Sequence, residues 1–148
     1  MMDTKECTQF IMDVRRYAYN KHKETRHLYD GYPYIIHLDG VYRALKAVLA
    51  LCDTPSDYPI NTLYSACFTH DLIEDCRVTY NDIVDDMWAI TNSHMYAFPM
   101  MMTAHDIVNG IADITYAVTN EKGKDRSQRA NKKYYNGIVT KSIEKYEI

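Results

Sequence analysis

Apolar residues recur every three or four positions along several stretches of the chain, which predicts amphipathic helices rather than strands. Residues Asp3 to Glu6 resemble a capping box, and the apolar positions that follow predict a first helix that ends near His22. Residues 30–33 form a predicted turn, and residues 53–59, rich in Pro, Asp and Ser, end a second helix. That second helix has the most regular apolar stripe of the chain: Val41, Ala44, Leu45, Val48 and Leu49.

Three further helices are predicted after residue 60. The third begins near Asn61 and carries one stripe that is first apolar and then acidic: Leu63, Ala66, Cys67, His70, Asp71, Glu74 and Asp75. Thr79 and Thr103 begin capping-box patterns that open the fourth and fifth helices, and residues 91–102 between them form a predicted loop. No convincing strand pair or repeat is found. We therefore predict an all-α fold and a single domain over residues 1–148.

Composition and charge narrow the class of protein. The 148 residues amount to about one average domain, and 47% apolar with 25% charged residues is typical of globular proteins. A formal net charge of -3 argues against binding a long nucleic acid. No apolar run is long enough to span a membrane and the start lacks a secretory signal pattern, so we expect a cytoplasmic protein without membrane partners.

The four cysteines are irregularly spaced and include no Cys-x-x-Cys pair. In a reducing compartment this pattern favours free structural thiols over disulfides or a zinc cluster. Cys67 falls on the apolar stripe of the third helix, where a thiol packs as a small hydrophobic group.

Ionisable residues occupy positions where the periodicity predicts core packing. His70 and Asp71 continue the stripe of the third helix, and His37 lies at the start of the second. Burying an unpaired carboxylate is costly, and a divalent cation held by imidazole and carboxylate groups would offset that cost. Asp71, Glu74 and Asp75 are spaced to share one helical face, so a nearby cation would also relieve their repulsion.

A structural interpretation competes with the metal site. A His-Asp pair occurs often by chance, and an acidic helix end is often simply solvated. The second such pair, His105 and Asp106, lies at a helix start, where Asp106 is better explained as a capping acid.

Three segments carry a family resemblance: PYIIH at residues 33–37, HDLIED followed by VTYNDI at 70–75 and 78–83, and AVTNEKGKDR at 117–126. Together they resemble the HD-domain metal-dependent phosphohydrolases. More narrowly, they are similar to the hydrolase domain of the RelA/SpoT family and its small stand-alone relatives, over about residues 10–135. The resemblance implies an HD-type helical bundle that removes pyrophosphate from the 3′ position of (p)ppGpp.

The resemblance also implies roles for particular residues. His37, His70 and Asp71 match three of the four metal ligands of the family, and the metal implied is manganese. Glu74 and Asp75 match the acidic pair that handles the attacking water. Both roles agree with elementary chemistry, because a bound cation activates water and a carboxylate can accept a proton from it.

Substrate contacts are assigned in the same way. Arg26 lies near the position of a family arginine that contacts the nucleotide base, although Arg26 with His22 could instead form a solvated helix end. Tyr34 matches a family tyrosine, with plain packing as the alternative. Residues 121–133 carry a local charge of +4. This charge would attract the phosphates of a substrate or, alternatively, only keep an exposed loop soluble. The candidate phosphate contacts are Lys122, Lys124 and Arg126.

Two departures from the family leave the function open. The fourth metal ligand of the family is an Asp in a Lys-Leu-Ala-Asp-like motif, which residues 142–148 lack, so we expect a domain that is short at its C-terminal end. The alternative function is a non-catalytic HD fold that binds a nucleotide or a partner. Residues 89–104 are longer than the family's usual connection between the two flanking helices. This stretch could serve as a lid, be a tolerated insertion or form a partner surface. A partner surface would make the protein a structural or interaction protein, which is a third class of function. The oligomeric state stays undetermined.

Overall fold

The computed structural model describes residues 4–51, 59–94 and 104–119, with side chains described from Thr8 onward. The all-α prediction is confirmed over these ranges, and none of their helices is long and apolar enough to cross a bilayer. The predicted break at 53–59, the loop at 91–102 and the C-terminal segment lie wholly or largely outside them. The elements are α1 (Thr4–Glu24), β1 (Leu28–Tyr29), β2 (Tyr32–Pro33), α2 (Ile35–Leu51), α3 (Ile60–Thr69), α4 (Leu72–Asp75), α5 (Tyr80–Asn92) and α6 (Ala104–Val118).

Helix α3 lies at the centre of the fold and packs against α1, α2 and α6, while α5 packs against α6. Because α3 is enclosed on several sides, its buried face extends beyond the apolar stripe and includes hydroxyl groups. The Thr69 and Thr115 hydroxyl oxygens lie 2.6 Å apart and join α3 to α6. Cys67 is buried and its thiol is free, as predicted. The largest fully buried apolar side chains are Phe10, Phe68, Leu38, Leu72, Ile83, Met87, Ile107 and Ile111.

Helix α5 begins with the capping box that the sequence predicts. The Thr79 hydroxyl accepts a hydrogen bond from the Asp82 backbone N–H at 3.1 Å, and the Asp82 carboxylate accepts one from the Thr79 N–H at 2.8 Å. Two backbone donors that a helix start leaves unpaired are therefore satisfied.

A short antiparallel hairpin corrects the prediction that no strands pair. Leu28 pairs with Pro33 and Tyr29 with Tyr32 around the two-residue loop Asp30–Gly31. Both loop residues have positive φ, 48° and 81°, as a type I′ turn requires. The next pair outward in this register is His27 and Tyr34, so the hairpin brings these two rings together.

The third predicted helix is also not continuous. Helix α3 ends at Thr69, and α4 starts at Leu72 after Asp71, whose φ and ψ are -96° and 0°. Asp71 is the N-cap residue of α4, and its backbone carbonyl accepts a hydrogen bond of 2.9 Å from the Asp75 N–H. Asp71 and Asp75 therefore remain one helical turn apart, as the spacing predicts, although the helix as a whole is interrupted.

Helix α2 forms as predicted, but its apolar stripe is only partly covered. Leu38, which precedes the stripe, is the fully buried apolar residue of the helix, whereas Val48 of the stripe is 54% exposed and Leu51, at the end of the helix, is 86% exposed. Among the described residues, α2 packs mainly against α3.

Candidate metal centre

The candidate centre lies where the start of α2 meets the end of α3. His37 is in the first turn of α2, and the adjacent residues His70 and Asp71 lie between α3 and α4. Arg15 of α1 donates two hydrogen bonds to the Asp39 carboxylate, at 2.7 and 2.8 Å, which fixes this end of α2 against α1. Three elements that are distant in sequence are therefore held together around one point.

The three predicted ligands converge. The Nε2 atoms of His37 and His70 are 3.3 Å apart, and the Asp71 Oδ2 atom lies 3.2 Å from the first and 2.8 Å from the second. Neighbouring donors bound to one cation at about 2.0–2.1 Å would be about 2.9 Å apart in octahedral and about 3.3 Å apart in tetrahedral coordination. The observed separations therefore suit a divalent cation held between the two imidazoles and the carboxylate.

The protonation of His70 agrees with a ligand role. Its Nδ1 lies 2.7 Å from the Cys67 backbone carbonyl, which can only accept, so Nδ1 carries the proton. Nε2 is therefore the nitrogen that faces the centre, and a bound cation would take the place of the proton through which Nε2 bonds Asp71. A carbonyl that holds the other ring nitrogen is the usual support of a metal-binding histidine.

The charges at the centre also support each other. Burial alone would raise the pKa of Asp71, but its hydrogen bonds with His70 and Tyr34 and the nearby histidines lower that pKa to about 2. Burial would lower the pKa of His70, yet the hydrogen bond and charge of Asp71 raise it. Asp71 is therefore ionised near neutral pH, as a metal ligand has to be.

Tyr34 contacts the centre through its hydroxyl group. The phenol is 6% exposed and donates a hydrogen bond of 2.5 Å to Asp71 Oδ2, the same oxygen that lies beside His37 and His70. Burial and this bond raise the pKa of Tyr34, so the phenol keeps its proton. From the sequence, Tyr34 was predicted to contact the substrate or to pack in the interior, and its hydrogen bond to Asp71 was not predicted.

The Tyr34 ring contacts two histidines that the sequence analysis did not place at the site. The ring centroids of His22 and His27 lie 4.0 and 4.1 Å from that of Tyr34 and 5.1 Å from each other, so the three rings form a cluster with both histidines toward one side of the phenol. His22 is fully buried, so the alternative that it forms part of a solvated helix end is wrong. Its position, one turn after the buried Ala18, was the available signal that it points inward.

The His22 ring is neutral near neutral pH. Burial, aided by the neighbouring His27, lowers the pKa of His22 to about 4. Its Nδ1 lies 3.0 Å from Nδ1 of His27 and 3.2 Å from Sγ of Cys76. The buried Cys76 thiol stays protonated, because burial raises its pKa to about 11.

The two candidate catalytic acids lie one turn beyond Asp71. Within the described ranges, the group of close metal donors consists of His37, His70 and Asp71 and includes neither Glu74 nor Asp75. Glu74 is exposed. Asp75 lies 3.8 Å from the His27 ring and borders a concavity of about 360 Å³, and burial together with the charge of Asp71 raises its pKa.

Arg26 shares a second concavity with Tyr34. Its volume is about 300 Å³, and it combines aromatic, apolar and basic groups. The structure thus places Arg26 and Tyr34 on one concavity, while Lys122, Lys124 and Arg126 lie outside the described residues. The lining residues are Tyr19, Lys23, Arg26, His27, Leu28, Pro33 and Tyr34.

The second His-Asp pair lies apart from this arrangement. His105 and Asp106 are in the first turn of α6, and their side chains are 69% and 67% exposed. This placement agrees with an acid that stabilises a helix start.

No protein-family model, curated protein or solved structure matches the chain in three comparisons with known proteins.

Proposed function

We propose that the protein is a metal-dependent phosphohydrolase with an HD-type fold that acts on a nucleotide. The leading substrate is a guanosine 3′-pyrophosphate of the (p)ppGpp type, which comes from the motif resemblance alone. One observation carries the proposal: an imidazole nitrogen of α2 meets an imidazole nitrogen and a carboxylate oxygen of the connection between α3 and α4, and the three atoms lie within 3.3 Å of one another.

His37, His70 and Asp71 would hold the cation, and manganese is the metal that the resemblance implies. When bound, a divalent cation supplies Lewis acidity toward phosphate oxygens and activates water. Two neutral imidazoles and one carboxylate leave such a site with net positive charge. That charge favours an anionic phosphate substrate.

Asp75 is the better supported of the two candidate proton acceptors. Its raised pKa makes it a stronger base than an ordinary aspartate, and it interacts electrostatically with both Asp71 and His70. In the proposed reaction its carboxylate accepts a proton from the water that attacks the phosphorus next to the 3′ oxygen. The bond between that phosphorus and the 3′ oxygen breaks, pyrophosphate leaves, and the 3′ oxygen takes up a proton from solvent. Glu74, exposed on the same turn, would help to orient that water.

The concavity beside Tyr34 would hold the remainder of the substrate. Its rings and apolar side chains suit a planar base, and Lys23 and Arg26 suit phosphate groups. The basic segment with Lys122, Lys124 and Arg126 would add positive charge in this proposal. Tyr34 borders both the concavity and the cation centre, so a base in the concavity would lie next to the proposed reaction site.

The test is manganese-dependent release of pyrophosphate from (p)ppGpp by the purified chain. Asp71→Asn and Asp75→Asn should each abolish the release. Asp106→Asn is the matched control, because it removes the acid of the other His-Asp pair and should leave the rate unchanged. Tight nucleotide binding without turnover would support the non-catalytic alternative, and manganese-independent release would contradict the proposed site.

A further inference from the structure

We propose that Tyr34 is a positioning residue for Asp71, and that the rings of His22 and His27 packed against it hold it in that role. The inference rests on the proposed metal site and goes beyond it. It assigns the Tyr34 hydroxyl to the orientation of a ligand rather than to contact with a substrate.

The first support is the identity of the shared oxygen. Tyr34 donates to Asp71 Oδ2, and this same atom lies 3.2 Å from His37 Nε2 and 2.8 Å from His70 Nε2. The bond length of 2.5 Å is typical of a hydroxyl that donates to an ionised carboxylate. The phenol therefore restrains the position of the oxygen that would bind the cation.

The second support is that Tyr34 itself has little freedom to move. Its ring packs against both His22 and His27, with interplanar angles of 25° and 28°, and further contacts the rings of His37 and Tyr29 at 5.1 and 6.3 Å between centroids. His22 comes from the buried face of α1, and the hairpin register places His27 opposite Tyr34. These contacts from several elements restrict the movement of the phenol ring.

The third support is the low exposure of Tyr34. Only 6% of its surface is accessible, so it offers a bound nucleotide little contact area. By contrast, Tyr29 on the same hairpin is 44% exposed. The buried hydroxyl already has a partner in Asp71, and supporting partners of this kind usually affect metal affinity.

The experiment measures the manganese affinity of the full chain by electron paramagnetic resonance titration. Tyr34→Phe removes the hydroxyl and keeps the stacked ring, and it should weaken Mn²⁺ binding about ten- to hundredfold. Tyr17→Phe is the matched control, because Tyr17 donates a similar hydrogen bond of 2.6 Å to Asp86, outside the centre. Tyr17→Phe should leave the affinity for Mn²⁺ unchanged.

A second pair of variants tests the stack. His27→Phe keeps a flat ring beside Tyr34 and should retain most of the affinity, whereas His27→Ala removes the ring and should weaken binding. Restoration by phenylalanine would show that the ring acts through its stacking and not through its nitrogen atoms. Unchanged affinity in His27→Ala would overturn the holding role of the stack.

The outcomes separate this inference from the proposed function. If the wild-type chain binds no Mn²⁺, both are wrong. If the wild-type chain binds Mn²⁺ and Tyr34→Phe binds it equally well, only the positioning role is wrong. Equal losses in Tyr34→Phe and Tyr17→Phe would also overturn it, because the effect would then be a general loss of structure.

Discussion

His22 offers a sharp test of the arrangement around the centre. The replacement His22→Phe keeps a flat ring beside Tyr34 and removes both ring nitrogens, of which Nδ1 contacts His27 and Cys76 in the wild type. It therefore removes a titrating group from the interior, and the larger ring shifts the stability by a similar amount at every pH. The expected result is a change in how the stability depends on pH.

The magnitude follows from the lowered pKa. An ordinary histidine has a pKa of 6.5, and burial next to His27 lowers that of His22 to about 4. This difference of about 2.5 units corresponds to about 3 kcal/mol. Between these two pKa values the unfolded chain binds more protons than the folded chain, so the free energy of unfolding rises with pH across the window. The contribution is complete above pH 6.5 and is lost as the pH falls through about 4.

The assay is urea unfolding of the metal-free chain between pH 4 and pH 7, with a chelator present. Over this range the wild type should lose about 3 kcal/mol more stability than His22→Phe. In addition, the ring proton signals of His22 should titrate with a midpoint near the lowered pKa of about 4. His105→Phe serves as the control, since that side chain is 69% exposed and its loss should leave the pH dependence unchanged.

Parallel stability curves for the wild type and His22→Phe would refute this reasoning. So would a His22 signal that titrates like that of an exposed histidine. Either result would mean that the ring is hydrated or protonated in the folded state, and the stack against Tyr34 would then need a different explanation.

Two further predictions test the fold. Phe68 is a fully buried residue of the central helix α3, and its ring packs against Tyr42 of α2. Phe68→Ala should therefore lower the free energy of unfolding by about 3–5 kcal/mol, because it leaves a cavity in the core. A loss below about 1 kcal/mol in urea unfolding would place this ring outside the core. Thr79→Ala should cost about 1 kcal/mol by removing the capping box of α5, and Thr79→Ser should restore most of it. Equal stability of the alanine and serine variants would contradict the cap.

Local sequence signals predict the helices well because they act over one or two turns. The capping box at Thr79 and Asp82 forms as the pattern indicates, and α1 ends at Glu24, two residues beyond the predicted end near His22. Apolar periodicity correctly identifies α2 as a helix. It does not reveal that Val48 and Leu51 stay exposed, because that depends on which elements pack against α2.

The hairpin had a local signal that the sequence analysis did not use. Asp-Gly is typical of a type I′ turn, and the loop Asp30–Gly31 adopts positive φ at both positions. Strands of two residues are too short to show an alternating pattern, so periodicity alone misses them.

The candidate centre was predictable in part. His37, His70 and Asp71 could be named from residue chemistry and from the family resemblance. The break after Thr69 was not predictable from the stripe, which continues in sequence from Leu63 to Asp75. The stack of His22, Tyr34 and His27 depends on contacts between α1, the hairpin and the start of α2, and apolar periodicity does not report such contacts.

Manganese content tests the central claim most directly. The purified chain is loaded with Mn²⁺, dialysed against metal-free buffer and subjected to elemental analysis beside His70→Ala. The account predicts close to one manganese per wild-type chain and almost none in the variant. A wild-type chain without manganese, or equal manganese in both proteins, would contradict it.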